Sequence, residues 1–203
     1  MLKSAFLNVC LVTTSLVSAQ DAATPKINWM TWSEAIEAQK AAREFYLKDK
    51  KANHPPKKIF LDVYTTWCGP CKKMDANTFK KPSVIQAMNK YYYPVKLNAE
   101  QPDPITHDEH TFINPNPTLV RGRRGVHQLA ASILDNQLFY PSFVVMDENT
   151  NRLVIHKGYK GELVMAGILA FYGSNEYLKY KEAVMKQSGQ QKAKNSTGQP
   201  INQ

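Results

Sequence analysis

The sequence predicts an α/β domain of three layers, with helices on both faces of a central mixed sheet. Three observations carry that expectation. Short runs rich in β-branched and aromatic residues alternate with longer runs of helix formers. One short run, residues 59–65 (IFLDVYT), is apolar almost throughout, the pattern of a strand buried on both faces. The alternation then closes in two strands joined by a tight turn and followed by helices.

The chain has 203 residues, 43% of them hydrophobic, which suits one domain of ordinary size with a real core. Residues 1–19 read as a secretory signal. Lys3 gives a basic start, residues 5–17 are mostly apolar, and Val17-Ser18-Ala19 offers a cleavage point. Asn8, Thr13, Thr14 and Ser15 interrupt this short run, unlike a membrane span. No other stretch is apolar enough, so no stable membrane insertion is expected after cleavage.

Residues 20–30 read as a linker, with a short strand at 27–30. Thr31-Trp32-Ser33-Glu34 has capping-box spacing and opens a helix that Asn53-His54-Pro55-Pro56 stops. Strand 59–65 leads into Cys68-Gly69-Pro70-Cys71 and a helix over 72–79. Pro82 falls in the first turn of the next helix, and 93–98 (YPVKLN) is a second strand. Residues 99–125 carry Pro102, Pro104, Pro115, Pro117, Gly122 and Gly125, and read as an inserted loop with short helical pieces. A helix over 126–134 follows. Strands at 142–147 and 152–156 pair around the turn 148–151. Helices at 161–171 and 176–187 are separated by Gly173-Ser174. Residues 188–203 are polar and read as a disordered tail, so the domain proper runs from 31 to 187.

The formal net charge is +9. Its basic residues are scattered (Lys48, Lys50, Lys51, Lys57, Lys58, Lys72, Lys73, Arg121, Arg123, Arg124), and no stretch interleaves them with aromatics. Nucleic acid is therefore not expected as a partner. A basic surface of this kind favours acidic partners or anionic surfaces.

Cleavage of the signal removes Cys10 and leaves Cys68 and Cys71, an even number that suits an oxidising compartment. A zinc site needs four ligands, and the other metal-like cluster, His107-Asp108-Glu109-His110, lies in a proline-broken polar loop. No metal is expected at the cysteines. Haem attachment needs His after the second cysteine, where this chain has Lys72. A structural staple across so small a ring gains little. Thiol exchange fits best. Cys68 would sit exposed at a helix N-terminus, where free N–H groups and the dipole favour a thiolate. Cys71 would lie one turn further in, shielded but within reach. Gly69 would permit the tight turn, and Pro70 lacks an N–H that a first-turn position does not use. Asp62, a charge inside an apolar strand, should have a raised pKa and so serve as a base near neutral pH.

Residues 59–72, IFLDVYTTWCGPCK, resemble the active-site segment of thioredoxins. The likeness includes the whole Trp-Cys-Gly-Pro-Cys-Lys run and an aspartate six residues before the first cysteine. Residues 95–98 resemble the next core strand of that family, and 140–145 (YPSFVV) its cis-proline strand. The resemblance spans roughly 55–171, with about two dozen extra residues before Pro141. Residues 71–100 are more similar to exported thioredoxin-related proteins, and to the C-terminal thiol domain of the electron-transfer protein DsbD, than to cytosolic thioredoxin. Two positions depart from the pattern: Ala76 replaces a helix-kinking proline, and Tyr64 replaces a second active-site tryptophan.

The resemblance implies a thioredoxin fold with an insertion before the cis-proline strand. It implies a thiol–disulfide oxidoreductase that cycles between a Cys68/Cys71 dithiol and disulfide with no organic cofactor. Asp62 would lie behind Cys71 and handle its proton, with Lys96 as its partner. Trp67, Gly69, Pro70, Tyr140 and a cis Pro141 would meet the substrate. The Gly-Pro dipeptide favours a reductase. The implied partners are protein disulfides and a membrane or periplasmic redox protein that resets the cysteines, and the implied location is exported and periplasmic. The alternatives are a disulfide oxidase or isomerase, a client-binding module that uses the 99–125 insert, and a metal-handling dithiol.

Overall fold

A computed structural model describes residues 25–49, 55–118 and 125–196, with side chains as far as Ser188. The signal segment 1–19, the start of the linker, the Asn53-His54 half of the helix stop and residues 197–203 lie outside the described residues.

The elements are α1 (Trp32–Lys48), β1 (Lys58–Tyr64), α2 (Gly69–Ala76), a 3₁₀ turn (Thr78–Lys80), α3 (Pro82–Tyr91), β2 (Tyr92–Asn98), β3 (Ile105–His107), β4 (His110–Phe112), α4 (Gln128–Ile133), β5 (Ser142–Met146), β6 (Arg152–Lys157), α5 (Glu162–Gly173) and α6 (Glu176–Ser196). The main sheet has the order β2-β1-β5-β6. The helical crossover after β1 makes β2 parallel to it, whereas β5 and β6 run antiparallel.

Alternation along the strands sorts the core into two halves. Ile59, Leu61 and Val63 of β1, with Val95, Leu97, Val144 and Met146, pack under Trp32 and Ala35 of α1 and Leu129 and Ile133 of α4. Phe60, Phe143 and Val145 point the other way, onto Met74 of α2, Val84, Ile85 and Met88 of α3, and Met165 and Leu169 of α5. Helices therefore cover both faces, and this makes the fold a three-layer α/β/α thioredoxin fold. Every residue of β1 from Lys58 to Val63 is buried, which explains its unbroken apolar run. By the same alternation Asp62 falls on the face beneath α2, in register with Lys96 of β2.

Four details differ from the sequence reading. Residues 25–30 pack onto the domain rather than hanging as a linker, and the expected strand at 27–30 is a single bridge. Ile27 is buried in the second core half. The Met30 N–H donates to Pro94 O (2.8 Å), and Lys96 N–H donates to Met30 O (3.2 Å). This backbone pairing covers part of the open edge of β2. Second, the insert contains a hairpin, β3–β4, and no helix among its described residues. Asp108 and Glu109 turn it with φ of 46° and 64°, the left-handed pair that suits a two-residue hairpin. Three-residue strands leave too short an alternation to read. Third, α4 is shorter than expected, because the His127 Nδ1 caps it by accepting from Leu129 N–H at 3.2 Å. Fourth, the polar segment beyond 188 continues α6 to Ser196; its Gln, Lys and Ala residues are good helix formers.

Candidate active site

β1 ends at Tyr64, and the chain turns so that Cys68 becomes the N-cap of α2. Its Sγ accepts from the Cys71 N–H at 3.1 Å, and its carbonyl receives Lys72 N–H at 3.2 Å. Pro70 occupies the first turn, where no intrahelical N–H is needed. The two sulfurs are bonded to each other as a disulfide. Both cysteines are only 3% exposed, so the expected exposed Cys68 is covered in this oxidised state. Gly69 also differs from expectation. Its φ lies outside the left-handed range, and an added Cβ would meet nothing within 4 Å. Its lack of a side chain leaves open surface beside the disulfide rather than permitting the turn.

Trp67, beside this pair, is a large exposed side chain, at 58%. Its indole N–H donates to Glu100 Oε1 at 2.9 Å, and its ring meets Tyr140 edge to face, centroids 6.1 Å apart. Burial, then the Glu100 charge, push the Tyr140 phenol up to about 12. The Tyr140–Pro141 bond is cis. The pairing of Val63 with Ser142 brings this dipeptide to the end of β1 from which the cysteine turn departs.

Beneath α2 lies a second cluster. Asp62 is 2% exposed, and burial raises its carboxyl to about 6, against the pull of Lys96 and with a push from Asp75. Lys96 Nζ is 3.2 Å from Asp62 Oδ2 and also donates to Asp75 Oδ1. Burial works against the Lys96 charge, but the two carboxylates outweigh it and raise its pKa. The rings of Tyr64, Trp29 and Phe79 surround the ammonium, centroids 4.9, 5.1 and 5.8 Å away. Tyr64, the departure from the thioredoxin pattern, thus faces the lysine. Asp62 Oδ1 has no hydrogen-bond partner among the described residues.

The fold therefore brings Asp62 and Lys96 into contact, as expected, and sets Trp67 against Tyr140. Sequence reasoning missed Asp75 and Glu100. Asp75 carried a signal, since it follows Cys71 by one helical turn and so shares its face. Glu100 carried none, because only the tertiary fold brings it to Trp67. Among the described residues no group of His, Cys, Asp and Glu could hold a metal ion.

Residues 45–173 match the family of thioredoxin-like domains. Over 67 residues, 32% of this chain, the sequence is 37% identical to thiol:disulfide interchange protein DsbD of Neisseria meningitidis, in both a serogroup A and a serogroup B strain. The chain spans only 10% of the length of these relatives. Among solved structures it is similar to the oxidised C-terminal domain of Neisseria meningitidis DsbD, with 22% identity, coverage of 69% of this chain and 95% of that one, and a TM-score of 0.37. It is also similar to a thioredoxin-fold protein from Helicobacter pylori, with 13% identity, coverage of 70% and 86%, and a TM-score of 0.46.

Proposed function

The chain belongs to the thioredoxin-like family, and from that premise we propose that it is a thiol–disulfide oxidoreductase that reduces protein disulfides in the periplasm. The observation that carries this reading is the Cys68–Cys71 disulfide at the start of α2, above a buried carboxyl raised to about 6. In the reduced protein the Cys68 thiolate attacks one sulfur of a client disulfide. A mixed disulfide forms and the first client thiolate leaves, taking up a proton. Cys71 then loses its proton to Asp62 and attacks Cys68 Sγ. The second client thiolate leaves, and the Cys68–Cys71 disulfide reforms. Two electrons pass to the client, and a membrane or periplasmic redox protein returns them. The electrons reside in the two sulfurs, so no organic cofactor is required. Trp67, Gly69, Pro70, Tyr140 and Pro141 form the client-facing rim, and Lys96 steadies the ionised Asp62. The apolar start of residues 1–19 supports export.

The reading is tested with reduced protein and insulin as the disulfide substrate. Wild type should reduce insulin. Cys71→Ser should instead accumulate a mixed disulfide through Cys68, visible by mass and released by dithiothreitol. A Cys71→Ser protein that forms no such adduct overturns the reading.

A further inference from the structure

Lys96 is one cation with two carboxylates. Asp62 lies on β1 and is sealed from water; Asp75 lies on α2 and is half exposed. The three residues come from three elements. Among the described residues, Lys96 and Asp75 are the charged groups that act on Asp62. Phe143 of β5, in register with Asp62, carries no charge, and the rings of Trp29, Tyr64 and Phe79 line the Lys96 ammonium. The aromatic rings hold the ammonium without neutralising it. How Lys96 divides itself between the two acids therefore decides how well the inner one is compensated.

We propose that Asp75 is a positioning residue for the active-site acid: by drawing the Lys96 ammonium toward the surface, it leaves the buried Asp62 carboxyl short of positive charge and ready to bind and release a proton. Two effects act in the same direction. Asp75 engages the cation that would otherwise serve Asp62 alone, and its own negative charge repels the ionised form of Asp62. The inference rests on the proposed proton-handling role of Asp62 only for its consequence in turnover; the charge balance itself is independent of that role.

The test separates the two. The carboxyl of Asp62 is followed by ¹³C NMR titration in the oxidised protein, where no turnover occurs. Asp75→Asn should lower its midpoint by about one pH unit, and Asp75→Glu should restore it. An unchanged midpoint, or a rise because Lys96 loosens without Asp75, overturns the proposal. Lys96→Gln serves as the opposing variant and should move the midpoint up; a fall there also overturns it. The pH profile of insulin reduction is then measured on the same proteins. If the NMR midpoint moves and the acid limb of the profile does not, the positioning by Asp75 stands and the proton role of Asp62 fails.

Discussion

Asp62 shows how one residue is read at both levels. Its charge inside an apolar strand was visible in the sequence, and so was the direction of its pKa. The alternation of β1 also fixed its side of the sheet. What the sequence could not supply was the sharing of Lys96 with Asp75, since that depends on how α2 lies across the strands. The raised carboxyl has a cost for folding. An acid whose pKa rises from 3.8 to about 6 on folding binds protons more tightly in the native state. Its burial therefore destabilises the ionised form by on the order of 2–3 kcal/mol above pH 6. Asp62→Asn should stabilise the protein by a similar amount at pH 7.5 in urea unfolding, because Lys96 keeps Asp75 as a partner. If Asp62 is the base for Cys71, as proposed, the same change should slow insulin reduction near neutral pH. A destabilised Asp62→Asn protein would show that the Lys96 pair outweighs desolvation. At the rim, Trp67 was legible as a neighbour of the cysteines, but its anchor Glu100 was not. Glu100→Ala should free the indole and red-shift its fluorescence, while leaving the fold intact.

At the scale of elements, the helices announced themselves by their ends. Thr31 and Glu34 form the capping box their spacing implied, with Thr31 N–H donating to Glu34 Oε2 at 2.7 Å. Thr31→Ala should cost about 1 kcal/mol in thermal or urea unfolding. Pro70 and Pro82 sit in first turns, as their missing N–H groups dictate. The insert was the illegible part. Its prolines obscured the hairpin, and its base is closed by a contact between residues distant in sequence. The Asn114 amide donates to the carbonyls of Glu100 (3.3 Å), Gln101 (3.2 Å) and Gly125 (2.8 Å), tying both ends of the insert together. A Cβ on Gly125 would stand 2.3 Å from Asn114 Oδ1 and 2.8 Å from the Asn116 backbone. Gly125→Ala should therefore destabilise the protein by about 1–3 kcal/mol. It should leave the thiol chemistry unchanged, because the clasp does not touch the cysteines; an altered reduction potential in this variant would contradict that separation.

For the whole molecule, the three layers followed from strand and helix order, while the packing of residues 25–30 onto β2 depends on tertiary structure and the extension of α6 follows the helix propensity of its own residues. The layers place a buried carboxyl under the helix that carries the disulfide, and this gives the domain a signature in its pH dependence. Between about pH 4 and 6 the Asp62 contribution to stability should fall as pH rises, opposite to a salt-bridged surface acid. The same asymmetry should vanish in Asp62→Asn. The central claim, that Cys68 and Cys71 form a reducing dithiol, is tested most directly by equilibrating the protein in glutathione buffers and measuring its reduction potential. A reducing dithiol should give a two-electron value below about −250 mV, near that of thioredoxin. A value above about −180 mV, in the range of oxidants and isomerases, would contradict it.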